Sequence, residues 1–282
     1  MHRERVSENV YWFQSEVYAQ VTAGVVAGPQ WAVVIDTLAL PEETMAMREF
    51  IEHEVGVPVR YVINTHYHAD HSWGNCFFPG ATVVAHALCR ELLAERGAPS
   101  LESVRKQNPA YRQVKIVLPH LTFDEGSLSL RVGKKNLNIL HTPGHSPDGI
   151  SVLVEEDRVL FAGDSFMPIP YVVDGDAEDI TTSIKKIGRM GLENIVQGHG
   201  DIILRGEIDA AVKENLTYMT NIRKVAKAAA RRRAAQEYLD DMNIEECGKS
   251  RVHLGGLAEE LHKRNLRALY KEAQSSKEDK EE

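Results

Sequence analysis

Between Thr65 and His71 the sequence reads Thr-His-Tyr-His-Ala-Asp-His, and no other stretch concentrates so many donor groups. His66, His68, Asp70 and His71 can each offer a divalent metal one neutral nitrogen or one anionic oxygen. Arg60-Tyr-Val-Ile-Asn64 before them is a short β-favouring run, and Ser72-Trp-Gly-Asn75 after them has the chemistry of a loop or helix start. A strand therefore delivers the cluster to a loop at a sheet edge. Alternate residues of an extended segment face the same way, so His66 and His68 can grip one ion together. Asp70 and His71, past the strand's end, are free to turn toward a second. A lone histidine is ordinarily a packed or solvated side chain, but three with an aspartate in six positions read as half of a metal site. One ion takes about four or five ligands, so more donors are expected downstream.

The chain has 282 residues, enough for one large domain or one domain with an appendage. Its net charge of −8 is unevenly placed: residues 206–282 carry 15 basic and 15 acidic side chains, so the whole excess lies in residues 1–205. An acidic catalytic part opposes a polyanionic substrate, and nucleic acid is excluded as a partner. No run of about 20 apolar residues exists, which excludes a membrane span. Met1-His-Arg-Glu-Arg-Val-Ser has no apolar stretch behind it, and Cys76, Cys89 and Cys247 are scattered without C-x-x-C spacing. Together these predict a cytoplasmic chain with reduced, ordinary packing cysteines.

Residues 9–36 predict three strands in a meander, Asn9–Gln14, Val17–Ala27 and Trp31–Asp36. Pro41 at a first helical position, followed by Glu42 and Glu43, opens a helix over 41–55 that returns the chain to a strand at 59–64. This parallel β-α-β step carries the donor loop beyond a strand's carboxyl end, where α/β folds place their sites. A strand over 81–85 and a helix over 88–96 follow, with His86 packing at their junction. Residues 97–118 read as irregular and polar, a flap over the site. Strands near 119–123, 127–132 and 136–141 come next, then a hairpin of Ile150–Val154 and Arg158–Ala162.

From 206 the composition shifts. Residues 207–235 lack Gly and Pro, and Ile208, Val212, Leu216, Met219 and Ile222 mark one face of a long amphipathic helix. Helices near 234–242 and 254–272 and a charged, fraying tail over 271–282 follow, with Arg231-Arg-Arg233 as a solvated helix face. The apolar face must be buried, either over the cleft or in a homodimer. The chain thus divides into a catalytic domain, 1–205, and a C-terminal helical extension, 206–282.

Further donors sit at predicted strand ends. Pro143 and Gly144 force a sharp turn in His141-Thr-Pro-Gly-His145-Ser-Pro and point His145 into a cleft, a third ligand for the ion held by His66 and His68. His141 braces that loop by hydrogen bonding. Asp164 follows a strand in Phe161-Ala-Gly-Asp164-Ser, and the glycines flanking His199 let the backbone come close.

The H-x-H-x-D-H cluster, with Asp36 closing Val33-Val-Ile-Asp36, then His145, Asp164 and His199 in that order, resembles the metallo-β-lactamase-fold hydrolases over residues 8–205. The resemblance implies an α/β fold, an αββα sandwich of two β-sheets flanked by helices, here with a C-terminal helical extension. It gives Asp36 a structural role. It also implies two divalent ions: His66, His68 and His145 on one, Asp70, His71 and His199 on the other, and Asp164 bridging them. Zinc is the default metal for such donors, and manganese and iron suit them too.

A dinuclear metal-dependent hydrolase follows, using a metal-bridging hydroxide at neutral pH. No serine nucleophile is needed, and no G-x-S-x-G elbow is present. Asp70 is the catalytic candidate, because its free oxygen can orient the hydroxide and hand a proton to the leaving group. β-Lactamases sharing H-x-H-x-D-H generally lack the bridging aspartate, whereas glyoxalase-II-like thioesterases, lactonases and related ester hydrolases keep all seven ligands. The expected substrate is a small carboxylic ester, lactone or thioester, contacted by Met167 and Tyr171 of the apolar Phe166-Met-Pro-Ile-Pro-Tyr171 segment. A β-lactam or phosphodiester hydrolase is the alternative among hydrolases, and a mononuclear iron persulfide dioxygenase-type enzyme the alternative outside them.

Overall fold

Two twisted sheets lie face to face in the computed structural model, which describes residues 1–281, with side chains as far as Ser275. The first holds β1 (His2–Ser7), β2 (Val10–Gln14), β3 (Thr22–Ala27), β4 (Ala32–Ile35), β5 (Val59–Ile63), β6 (Thr82–His86) and β7 (Leu121–Phe123) in sequence order. It is antiparallel from β1 to β4 and parallel from β4 to β7. The second holds β8 (Ser127–Val132), β9 (Lys135–His141), β10 (Ile150–Val154), β11 (Val159–Phe161), β12 (Asn194–Val196) and β13 (Ile203–Leu204), with only β11 and β12 parallel.

The period of two along each strand builds the layers. Val33 and Ile35 of β4 face inward with Ile63 and Val84, against Leu137, Ile139, Val152 and Phe161 of the second sheet. Val34 faces outward and joins Met47 and Ile51 under α1 (Pro41–Glu49), which continues as a π-helical turn through Val55. α2 (Ala69–Ser72) is a single turn within the donor loop, and α3 (Ala87–Gln107) flanks the same sheet. On the far side lie α4 (Ala177–Gly188), α5 (Ile208–Ala229), α6 (Ala235–Asp241) and α7 (Ala258–Glu281). Asp176 caps α4 by accepting from the Glu178 and Asp179 amides at 2.7 and 2.8 Å. This is the expected αββα sandwich with C-terminal helices. Leu160 and Ile195 of the second sheet, Ile184 of α4, Tyr218 and Ile222 of α5 and Leu266 of α7 belong to one buried cluster.

Several local expectations are corrected. Val17–Ala27 is not one strand: the Ser15 hydroxyl accepts from the Tyr18 amide at 3.0 Å and folds 15–20 into a loop, so β3 starts at Thr22. Residues 97–118 are not an irregular flap. Leu93 and Leu101 keep one buried face of α3 against Trp73, Tyr111 and Val114, while Pro99 sits on its exposed side. β1 was not expected, because this edge strand is mostly exposed and carries no apolar alternation. Arg231, Arg232 and Arg233 are exposed, but in the turn between α5 and α6, with Arg232 stacked over the Tyr238 ring. The backbone of the charged tail continues α7 as far as Glu281; Glu282 lies outside the described residues. No helix among the described residues is long and apolar enough to cross a membrane.

α7 is tied to the site side of the molecule by one buried residue. Asn265 accepts from the Val172 amide at 3.0 Å and donates to the Pro170 carbonyl at 2.7 Å and the Tyr218 hydroxyl at 3.2 Å. Asn265→Leu leaves the buried Val172 amide and Pro170 carbonyl without a partner, and the Tyr218 hydroxyl with His262 Nδ1 alone, and is expected to cost about 2–5 kcal/mol in urea unfolding. An unchanged unfolding midpoint would show that Asn265 does not fasten α7.

Candidate metal centre

The donors and Asp36 sit just beyond strand carboxyl ends: Asp36 after β4, residues 66–71 after β5, His145 in the turn after β9, Asp164 after β11 and His199 after β12. Two glycines allow this convergence. Gly163 turns out of β11 at a φ of 51°. A Cβ on Gly198 would fall 1.9 Å from Asp164 Oδ1, so only glycine lets the β12 turn pass that carboxylate.

All seven expected donors come together, in two groups. His66, His68, His145 and Asp164 form one and Asp70, His71 and His199 the other, with the donor atoms of each within 4.8 Å of one another. His68 Nδ1 lies 3.0 Å from His66 Nε2 and 2.9 Å from His145 Nε2. Asp164 stands between the groups, Oδ2 at 3.3 Å from His145 Nε2 and 3.5 Å from His199 Nε2, Oδ1 at 3.3 Å from His71 Nε2. Asp70 Oδ2 lies 3.5 Å from His199 Nε2 and 3.9 Å from His71 Nε2.

What aims these rings is the hydrogen bond on the far nitrogen of each. His71 Nδ1 donates to Asp36 Oδ2 at 2.9 Å, His145 Nδ1 to the Tyr171 carbonyl at 2.9 Å and His199 Nδ1 to the Ala19 carbonyl at 2.8 Å. His68 Nε2 faces Asp174 Oδ2 at 3.2 Å. His66 Nδ1 lies 3.1 Å from the Thr65 hydroxyl, which donates to Asp36 Oδ2 at 2.6 Å and so accepts from the ring. Each acceptor fixes the proton outward and leaves a lone pair inward. Asp36 also accepts from the Thr65 amide at 2.7 Å and sits at a φ of 59°, a backbone strain held by these bonds. It braces the loop and belongs to neither donor group.

The electrostatics match. Burial, then the His71 charge, lowers the His66 pKa far below its ordinary value, and burial brings His145 down to about 4, so both rings are neutral donors. Burial opposes charge on His71 and His199 as well, but Asp164, with Asp36 and Asp70 at His71 and Asp70 at His199, raises both. Buried carboxylates that draw protons there would draw a cation equally well. His71 Nε2 and Asp164 Oδ1 are buried without a hydrogen-bond partner among the described residues. Nitrogen and carboxylate donors left open toward one another fit a divalent cation.

Over the donors lies a groove of about 490 Å³. Met167 and Tyr171 line it, as does Tyr18, whose phenol pKa is raised by the Asp70 charge and then by burial. His141 Nε2 donates to the Pro147 carbonyl at 2.9 Å, the expected brace, and His86 stacks on the His141 ring. The three cysteines are unpaired and join neither donor group. Sequence reasoning missed Asp174. This residue also binds the Tyr67 hydroxyl and pairs with Arg96 of α3 at 3.1 Å, and it reaches His68 only because the 172–176 loop folds back over the cluster. A single aspartate between Val173 and Gly175 gave no signal for this; Tyr67, between two histidines, could have been suspected.

Residues 18–199 match the family model described as Metallo-beta-lactamase superfamily. The chain is 28% identical to the human acyl-coenzyme A thioesterase MBLAC2 over 69% of its own length and 79% of that protein. It is 30% identical to the thioesterase pkgB of Emericella nidulans over 62% of its length, and 26% identical to the beta-lactamase-like protein 2 homolog of Caenorhabditis elegans over 60%. These two matches span 41% and 52% of the relatives, so the chain covers about half the length of such proteins or less. A metallo-beta-lactamase from Pontibacter korlensis has a similar fold, with a TM-score of 0.64 at 20% identity over 78% of this chain and 99% of that one.

The Asp174 contact yields a direct test. Asp174→Ala should weaken binding of divalent zinc by about 10–100-fold, read by competition with a chromogenic chelator. Unchanged affinity would mean that His68 is aimed without Asp174.

Proposed function

The chain belongs to the metallo-β-lactamase superfamily, and on that premise we propose that it is a dinuclear metal-dependent hydrolase of acyl thioesters. One observation carries the reading: the Asp164 carboxylate lies between a three-histidine group and a second group of Asp70, His71 and His199. His66, His68 and His145 would hold one divalent ion, and Asp70, His71 and His199 the other, with Asp164 shared; zinc suits this donor set. When bound, such ions polarise a carbonyl oxygen and bring the pKa of water toward neutrality.

The remaining chemistry falls to the chain's own groups. Asp70 borders the groove, and its carboxylate can orient the attacking water and pass a proton to the departing sulfur. The phenols of Tyr18 and Tyr171, which line the same groove, would hydrogen-bond the acyl oxygen. Gly198, whose amide donates to the Gly163 carbonyl at 2.9 Å, lets the β12 turn pass against the Asp164 carboxylate. The thioester, rather than the lactone or simple ester, is favoured by relatives whose names are thioesterases.

The test is elemental analysis of protein purified without added metal, with the same preparation assayed on an acyl thioester, a lactone, a chromogenic β-lactam and a phosphodiester. Two zincs per chain and preferred turnover of the thioester are expected. One iron per chain, with oxygen consumption on a persulfide and no hydrolysis, would overturn the proposal. So would hydrolysis confined to the β-lactam or the phosphodiester. Asp70→Asn should lower kcat by about 10²-fold or more on the same substrate; a variant with full metal content and full activity would remove Asp70 from the mechanism.

A further inference from the structure

Four of the eight large apolar side chains left in solvent among the described residues gather at one place. Val17 is 73% exposed, Tyr18 41% and Leu257 40%, and all three line the groove over the donor cluster. Val252, 73% exposed, lines the adjoining cavity, which meets the groove at Met167 and Leu254. Elsewhere the exposed residues of this kind are dispersed: Met45 on α1, Leu121 on β7, Val173 in the 172–176 loop and Leu204 on β13. Scattered apolar exposure is ordinary, but a rim of it around a reactive site marks a surface that an apolar ligand covers.

The two sides of the rim come from different parts of the chain. One side is the 15–20 loop, held by the Ser15 hydroxyl and joined to the donors through the Ala19 carbonyl on His199. The other is the start of α7, where Leu257 and Leu261 lie one turn apart facing the groove, preceded by Leu254 at a φ of 55°. Glu260 and Arg264, ion-paired on the same helix face, close the groove with polar groups. The groove is thus charged where His68, Asp70, His145, Asp164 and His199 line it, and its rim carries an apolar strip of Val17, Leu254, Leu257 and Leu261.

We propose that this strip holds the acyl chain of the substrate, so that the enzyme selects thioesters of medium to long unbranched acyl groups over acetyl and other short ones. The inference rests on the thioesterase reading and adds the part of the substrate that is recognised. Its occupant is the acyl chain because the strip is continuous with the donors: His68, His145 and His199 line the same groove as Leu257 and Val17. Each methylene laid on the strip leaves water and strengthens binding.

The test uses N-acetylcysteamine thioesters from acetyl to decanoyl, at concentrations below micelle formation, on the metal-loaded 282-residue chain. kcat/KM should rise about twofold to fourfold per added methylene. Val17→Asp and Leu257→Asp, both exposed positions outside the donor cluster, should flatten that rise while leaving acetyl thioester hydrolysis within about twofold. Calorimetric binding of decanoate against butanoate gives a reading independent of turnover, with tighter decanoate binding expected in the parent protein and lost in both variants. Thioester turnover without a chain-length gradient would overturn the acyl strip and leave the thioesterase reading standing. Absence of thioester turnover would overturn the thioesterase reading, and equal binding of the two carboxylates would then overturn the strip as well. If the variants instead change the oligomeric state in light scattering and leave the gradient intact, the rim is an interface between copies of the chain and the proposal fails.

Discussion

Five imidazole rings can converge on one spot only if something holds the far side of each. Here an acceptor does so for every ring: Asp36 for His71, Thr65 for His66, Asp174 for His68, the Tyr171 carbonyl for His145 and the Ala19 carbonyl for His199. Without these bonds the rings would rotate, and their inward lone pairs would have no fixed direction. The acceptors are drawn from the end of β4, the donor loop itself, the 170–176 segment and the 15–20 loop. The fold matters to the site mainly by bringing these four stretches to one edge of the sandwich.

This explains why the C-terminal helices are part of the site's support. Asn265 of α7 binds the backbone on both sides of Tyr171, and the Tyr171 carbonyl receives His145 Nδ1. A hydrogen-bond path therefore runs from α7 to a ring of the donor cluster. The same helix contributes Leu261 to the groove, beside Leu257 just before its start. Burial of the apolar face of α5 is accounted for by packing against the second sheet, α4 and α7 within one chain.

The sandwich was legible because its strands obey the period of two, and the seven donors were legible because they lie in short motifs at strand ends. The resemblance gave Asp36 a structural role, and in the structure it braces the donor loop through the Thr65 amide and His71 Nδ1. Most of the missed features share a cause. β1 pairs at an exposed edge, where side chains need no apolar pattern, and α3 runs through Pro99 because the buried positions Leu93 and Leu101 outweigh one lost hydrogen bond on the solvent side. The Ser15 turn is set by a single hydroxyl, and Asp174 acts through a loop that returns from about 100 residues away. Tertiary contacts decided all of these but the Ser15 turn, whose bond is local, from the Tyr18 amide to a hydroxyl three residues before it.

The central claim is that two divalent ions sit on either side of Asp164. Anomalous diffraction at the zinc edge, on crystals of protein purified without added metal, tests it most directly. Two peaks about 3.5–4 Å apart are expected, one among His66, His68 and His145 and the other among Asp70, His71 and His199, with Asp164 between them. A single peak, or peaks away from these residues, would contradict the account.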